Sequence, residues 1–146
     1  MTHNILVRLL ILGMAAAWPG LAPAADRAWT RDQVSQGLQA VGRAVVVPFQ
    51  PGKIDAPLPA GARITRVYAA RSYESPAQVV TDLCWGSPQG PCVPLNGSHV
   101  NTRAFDGLPA QGPLLLVHRV VNWGPAAGPP LFVRGTVTVW YAVGQP

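Results

Sequence analysis

The sequence predicts an all-β fold: a small, single-domain antiparallel β-sandwich of about seven strands with one disulfide. Three observations carry this. The 146 residues include 16 prolines and 15 glycines, about a fifth of the chain, and that much punctuation leaves no room for long helices. Between the breaks lie short runs rich in β-branched and aromatic residues, with turns every eight to twelve positions. The composition is 49% hydrophobic and only 12% charged, which excludes disorder, and the length suits one core.

Taken in order, the first two dozen residues read as an export signal. Arg8 lies in a short polar region, Leu9 to Trp18 form an apolar run, and Pro19-Gly20 break it. Ala22-Pro23-Ala24 then supplies small residues at the spacing a signal peptidase reads, so cleavage is expected after Ala24 or Ala25. This divides the chain into a signal peptide, 1–24, and a sandwich domain, 25–146. An uncleaved membrane anchor is the other reading, but the run is much shorter than the ~20 residues a span needs.

Residues Trp29 to Val41 are ambiguous. Val34, Leu38 and Val41 have helical spacing, while Gly37 weakens a helix, so a short helix or an irregular lead-in is expected. Gly42 to Phe49 contains Ala44-Val45-Val46-Val47 and is stopped by Pro48 and Pro51. Arg63 to Ser72 follows the turn residues Pro59-Ala60-Gly61. In Gln78 to Trp85, Val79, Thr81, Leu83 and Trp85 share one face and Val80, Asp82 and Cys84 the other. Cys92 to Leu95 and Ser98 to Phe105 flank Asn96-Gly97, the strongest short hairpin signal, since both residues tolerate positive φ. Pro113 to Trp123 and Leu131 to Ala142 complete the set. In the last of these, Leu131, Val133, Gly135, Val137, Val139 and Tyr141 should face the core, and Phe132, Arg134, Thr136, Thr138, Trp140 and Ala142 the outside.

Cys84 and Cys92 are the only cysteines, separated by Trp85-Gly86-Ser87-Pro88-Gln89-Gly90-Pro91. In an exported chain, two nearby cysteines about a turn segment read as a disulfide clamping the mouth of a hairpin. A redox dithiol would want a two-residue spacing, and zinc would need two more ligands.

Without the signal, ten basic and six acidic residues remain, a net charge of +4. The arginines are scattered singly from Arg27 to Arg134, not arrayed in a basic stripe with interleaved aromatics, so no nucleic-acid partner is expected. A mildly basic surface still favours an acidic partner. Catalytic side chains are few: two histidines, His99 and His118, one glutamate and five aspartates. No sequence neighbour supplies either histidine with an orienting acid, and no nucleophile elbow, phosphate loop or metal-ligand pair occurs. The expectation is a protein that is not an enzyme, with no catalytic residue, no cofactor, no metal and no small-molecule substrate. Binding remains. Trp85, Trp123 and Trp140 lie on or beside strands, and Trp29 near the new N-terminus; they are either core or an outer platform. The candidate binding patch is Trp85, Arg103, Phe132, Arg134 and Trp140.

Several motifs, in order, carry a family likeness: Pro59-Ala60-Gly61-Ala62-Arg63-Ile64-Thr65-Arg66-Val67, Leu83-Cys84, Cys92-Val93-Pro94-Leu95-Asn96-Gly97, Ala104-Phe105-Asp106-Gly107, Pro113-Leu114 and Val137-Thr138-Val139-Trp140-Tyr141. Together they resemble the flagellar accessory protein FlhE family over residues 27 to 142. The stretch between the cysteines and the Pro125 to Pro130 loop depart from the family. The resemblance implies a periplasmic protein, peripheral to the inner membrane at most, whose partner is a protein of the flagellar type III export apparatus or another flagellar component. It implies control of secretion and motility, including limitation of proton leakage. It transfers Cys84 and Cys92 as the disulfide, and no catalytic residue. The alternatives are a periplasmic carbohydrate- or peptidoglycan-binding module using Trp85, Trp140 or Phe132 as stacking platforms, and a chaperone-like binder of extended polypeptide at a strand edge.

Overall fold

In the computed structural model, which describes residues 27–52 and 57–143, the regular structure is entirely antiparallel β. The expected signal peptide and its cleavage site lie outside the described residues. Eight strands are present: β1 (Arg27–Val34), β2 (Val45–Phe49), β3 (Ala62–Ser72), β4 (Gln78–Trp85), β5 (Cys92–Pro94), β6 (His99–Thr102), β7 (Leu114–Asn122) and β8 (Arg134–Val143). They form two four-stranded sheets, in the orders β1-β8-β3-β6 and β2-β7-β4-β5. The sandwich is as expected, with one strand more.

That extra strand is β1, in the segment expected to be a short helix or irregular. It pairs with β8 in unbroken register from Arg27↔Tyr141 to Val34↔Arg134. The buried Trp29 donates its indole Nε1–H to the Ala110 carbonyl at 3.1 Å. The helical spacing of Val34, Leu38 and Val41 is accidental: Leu38 is fully buried, whereas Val34 and Val41 are 56% and 55% exposed. Beyond β1 the chain is irregular, tied by Leu38 N–H to Leu131 O at 2.7 Å and Leu131 N–H to Leu38 O at 3.1 Å. Pairing to an apolar neighbour outweighs local propensity here.

The alternation read in the last strand holds. Leu131, Val133, Gly135, Val137, Val139 and Tyr141 are buried, and Phe132 and Arg134 are exposed. The inner layer joins Trp29, Ile64, Val67, Val137, Val139 and Tyr141 of the first sheet to Phe49, Leu83, Leu114 and Leu116 of the second, with Phe105 and Ala110 from a loop. A second cluster, Leu38, Ala77, Val79, Val120, Leu131 and Val133, fills one end.

Cys84 and Cys92 are directly opposite in the β4–β5 ladder, bonded, with Cα atoms 4.0 Å apart. Trp85 N–H to Pro91 O at 2.9 Å and Gly90 N–H to Ser87 O at 3.0 Å close the turn beyond them. The bond clamps the hairpin mouth as expected. Closing so short a loop contributes about 2.5 kcal/mol in chain-entropy terms. Asn96-Gly97 also turns tightly, with Asn96 N–H to His99 O at 3.1 Å and Gly97 at φ 67°. The flanking strands do not form the expected hairpin ladder, however. β5 pairs with β4 and β6 with β3, so this turn carries the chain from one sheet to the other. Burying both inner faces requires that crossing.

Gly135 lies on the inner face of β8, packed against side chains of the second sheet. A Cβ there would stand 2.6 Å from Leu116 Cδ1 and 3.1 Å from Phe49 Cζ. His118 is wholly buried, its Nδ1 2.9 Å from the Thr81 hydroxyl directly across the ladder. Burial, and secondarily the positive charge of Arg71, lowers its pKa from 6.5 to about 4.

Two predictions follow from this packing. Gly135→Val forces Leu116 and Phe49 apart and should destabilise the domain by about 1–3 kcal/mol, read as a lower denaturant midpoint at unchanged slope. His118 is neutral in the folded chain, while the unfolded chain takes up a proton below pH 6.5. Stability should therefore be full above that pH and decline as the pH falls towards 4, by up to about 3 kcal/mol. Thermal melts across this range should show the decline, and His118→Gln should flatten it.

Candidate functional site

The outer surface of the first sheet is built in cross-strand rows. Ala28, Trp140 and Arg66 form one; Thr30, Thr138, Tyr68 and Asn101 the next; Asp32, Thr136, Ala70 and His99 a third; Val34, Arg134 and Ser72 the last. The Thr30 and Thr138 hydroxyls are hydrogen-bonded at 2.8 Å, and Thr136 donates to Asp32. The Tyr68 and His99 rings are 6.3 Å apart. The Arg66 guanidinium lies over the Trp140 ring, 3.9 Å from its centroid.

Arg66 and Tyr68 reach this surface because β3 carries a bulge. The register against β8 jumps between Ile64 and Arg66. In an unbroken strand Ile64, Arg66 and Tyr68 would share one face. With Thr65 as the extra residue, Ile64, Val67 and Ala69 are buried together and Arg66 and Tyr68 turn outward.

The residues singled out from sequence do not form one patch. Trp140 and Arg103 stand at one end of this sheet, Arg103 directly following Thr102, the partner of Val67. Phe132 and Arg134 lie at the other end, about 20 Å away by strand rise, lining a shallow open groove with Val34, Ser72, Tyr73 and Glu74. Trp85 belongs to the other sheet, packs against the inner core and donates Nε1–H to Pro109 O at 3.2 Å. Sequence reading missed Arg63, Arg66, Tyr68 and Asn101; for Arg66 and Tyr68 the reason is that strict alternation does not reveal the bulge. The dense run Arg63-Ile64-Thr65-Arg66 was the available signal.

The outer face of the second sheet is different. Val46, Val80 and Val121 are exposed, Cys84, Leu115 and Val117 form a small apolar cluster, and Arg119 pairs with Asp82 at 3.2 Å. His118 is sequestered in the core. His99 is exposed beside the Ser98 hydroxyl at 3.4 Å, with no carboxylate bonded to it among the described residues. Among those residues no three His, Cys, Asp or Glu side chains converge. What the described surface offers chemically is a set of arginine, aromatic and hydroxyl groups on one sheet face, suited to binding by charge and hydrogen bonds.

No family model matches the chain, and no curated protein does. Among solved structures, the crystal structure of FlhE is similar, with a TM-score of 0.61 and 27% sequence identity, covering 81% of this chain and 98% of that one. The likeness read from the ordered motifs is therefore present in the fold as well, and the chain resembles FlhE in both sequence and structure.

Proposed function

We propose that this protein is a periplasmic flagellar accessory protein that binds a component of the flagellar type III export apparatus and modulates secretion, limiting proton leakage, without transforming a substrate. The observation that carries the reading is the likeness to FlhE across four-fifths of the chain and nearly all of the FlhE structure. The Cys84–Cys92 bond supports an oxidising compartment, in keeping with the export signal read at residues 1–24. A polar, arginine-bearing sheet face supports action by contact.

The glycan-binding alternative has less support. Trp85 is turned toward the core, one face of the Trp140 ring is covered by Arg66, and the exposed Phe132 lies apart from them at the other end of the sheet, so the three expected platforms do not form one stacking surface. The chaperone alternative needs a long free strand edge: β5 is three residues long, β6 four, and β2 contains Pro48, which leaves the eight-residue β1 as the one long edge strand among the described residues.

Deleting the gene should alter motility, the timing of flagellar export or proton leakage, with the full-length chain restoring each. Wild-type behaviour in all three assays would overturn the reading.

A further inference from the structure

We infer that the end of the first sheet's outer face formed by Arg63, Arg66, Arg103 and Trp140 docks an acidic polypeptide segment of a protein partner, with Arg66 receiving its carboxylates. This rests on the proposed accessory role, and names the surface and the chemistry by which it acts.

Arg66 is prepared for that task. The bulge at Thr65 turns it outward, and stacking on Trp140 at 3.9 Å holds the guanidinium in place before any partner arrives. A guanidinium lying on an indole keeps its N–H edge free for a bidentate carboxylate. Among the described residues no carboxylate pairs with Arg66 or Arg63. Arg63 is exposed and sits opposite Ala142, next along the same outer face. Arg103 directly follows Thr102, the partner of Val67, and its contact with Asp106 is long, 3.9 Å, and well exposed, so it restrains Arg103 little. This end therefore carries three cations against one weakly engaged carboxylate. The other end is balanced: Arg134 lies between the Asp32 row and the Glu74-lined groove. Charge complementarity thus selects an acidic occupant for the Trp140 end. Arg66 covers one face of the indole, which leaves less ring for a sugar to stack on and favours a polypeptide. Tyr68, Asn101 and Thr138 in the adjoining row can hydrogen-bond its backbone.

The test uses the mature chain and a fluorescein-labelled peptide of alternating glutamate and glycine, with a glutamine counterpart, followed by fluorescence anisotropy. The glutamate peptide should bind, more weakly as salt rises, and the glutamine peptide should not. Arg66→Gln should weaken binding about tenfold, and so should the doubly substituted Arg63→Gln/Arg103→Gln, whose exposed positions leave the fold intact. Val80→Gln, on the opposite sheet, should change nothing. Equal binding by all variants, no binding of the glutamate peptide, or arginine-dependent binding only to phosphatidylglycerol vesicles or purified sacculi would overturn the proposal. In cells lacking the gene, Arg63→Glu/Arg66→Glu should fail to restore the deletion phenotype while Val80→Gln restores it. Full restoration by the charge reversal removes the docking face and leaves the accessory role standing; a deletion with no phenotype removes the role itself.

Discussion

The apolar layer between the sheets is the constraint on which the rest of the molecule depends, because neither sheet can form its inner face alone. Six of the seven connections between consecutive strands pass from one sheet to the other, and β4–β5 is the single hairpin within a sheet. A chain threaded this way closes long loops before its contacts reward it. The return is a shared layer in which Phe49, Leu83, Leu114 and Leu116 meet Trp29, Ile64, Val137 and Val139. At Gly135 Leu116 and Phe49 pack into the space a Cβ would need. The strand containing it, β8, is paired along its length on both sides.

The same layer dictates the chemistry of the surface. Strand β3 must bury Ala62 and Ile64 near its start and Val67 and Ala69 further on, positions that strict alternation cannot place on one face. The bulge reconciles them, and the Thr65 hydroxyl beside it is buried with no hydrogen-bond partner among the described residues. Its consequence is external: Arg66 lands on Trp140, and Tyr68 faces Asn101 and His99. A packing requirement inside the sandwich thus composes the arginine–aromatic end outside it.

The two outer faces then differ in kind. The disulfide stiffens the β4–β5 hairpin on the sheet whose exterior is mostly valine and leucine with the Arg119–Asp82 pair, while Arg63, Arg66, Arg134 and the hydroxyls line the other. His118 sits between the sheets as a neutral partner of Thr81 and takes no part in either exterior. Binding chemistry is a property of the faces and stability a property of the interior, so substitutions on the first sheet's exterior can change partner affinity without unfolding the domain.

What the residues alone determined were the properties with a local physical cause. Proline and glycine spacing excluded helices, alternation in Leu131 to Ala142 identified the buried face of β8, and two cysteines about a turn named their own bond. Tertiary structure decided whatever depends on a partner strand. β1 is a strand because β8 offers it an edge, overriding the helical spacing of Val34, Leu38 and Val41. Asn96-Gly97 became a crossing between sheets because β5 and β6 have different neighbours. The expected patch of Trp85, Arg103, Phe132, Arg134 and Trp140 was divided by strand order and strand length, and Arg66 entered it through a bulge. Register against a neighbour is a non-local quantity, and no window of sequence contains both strands.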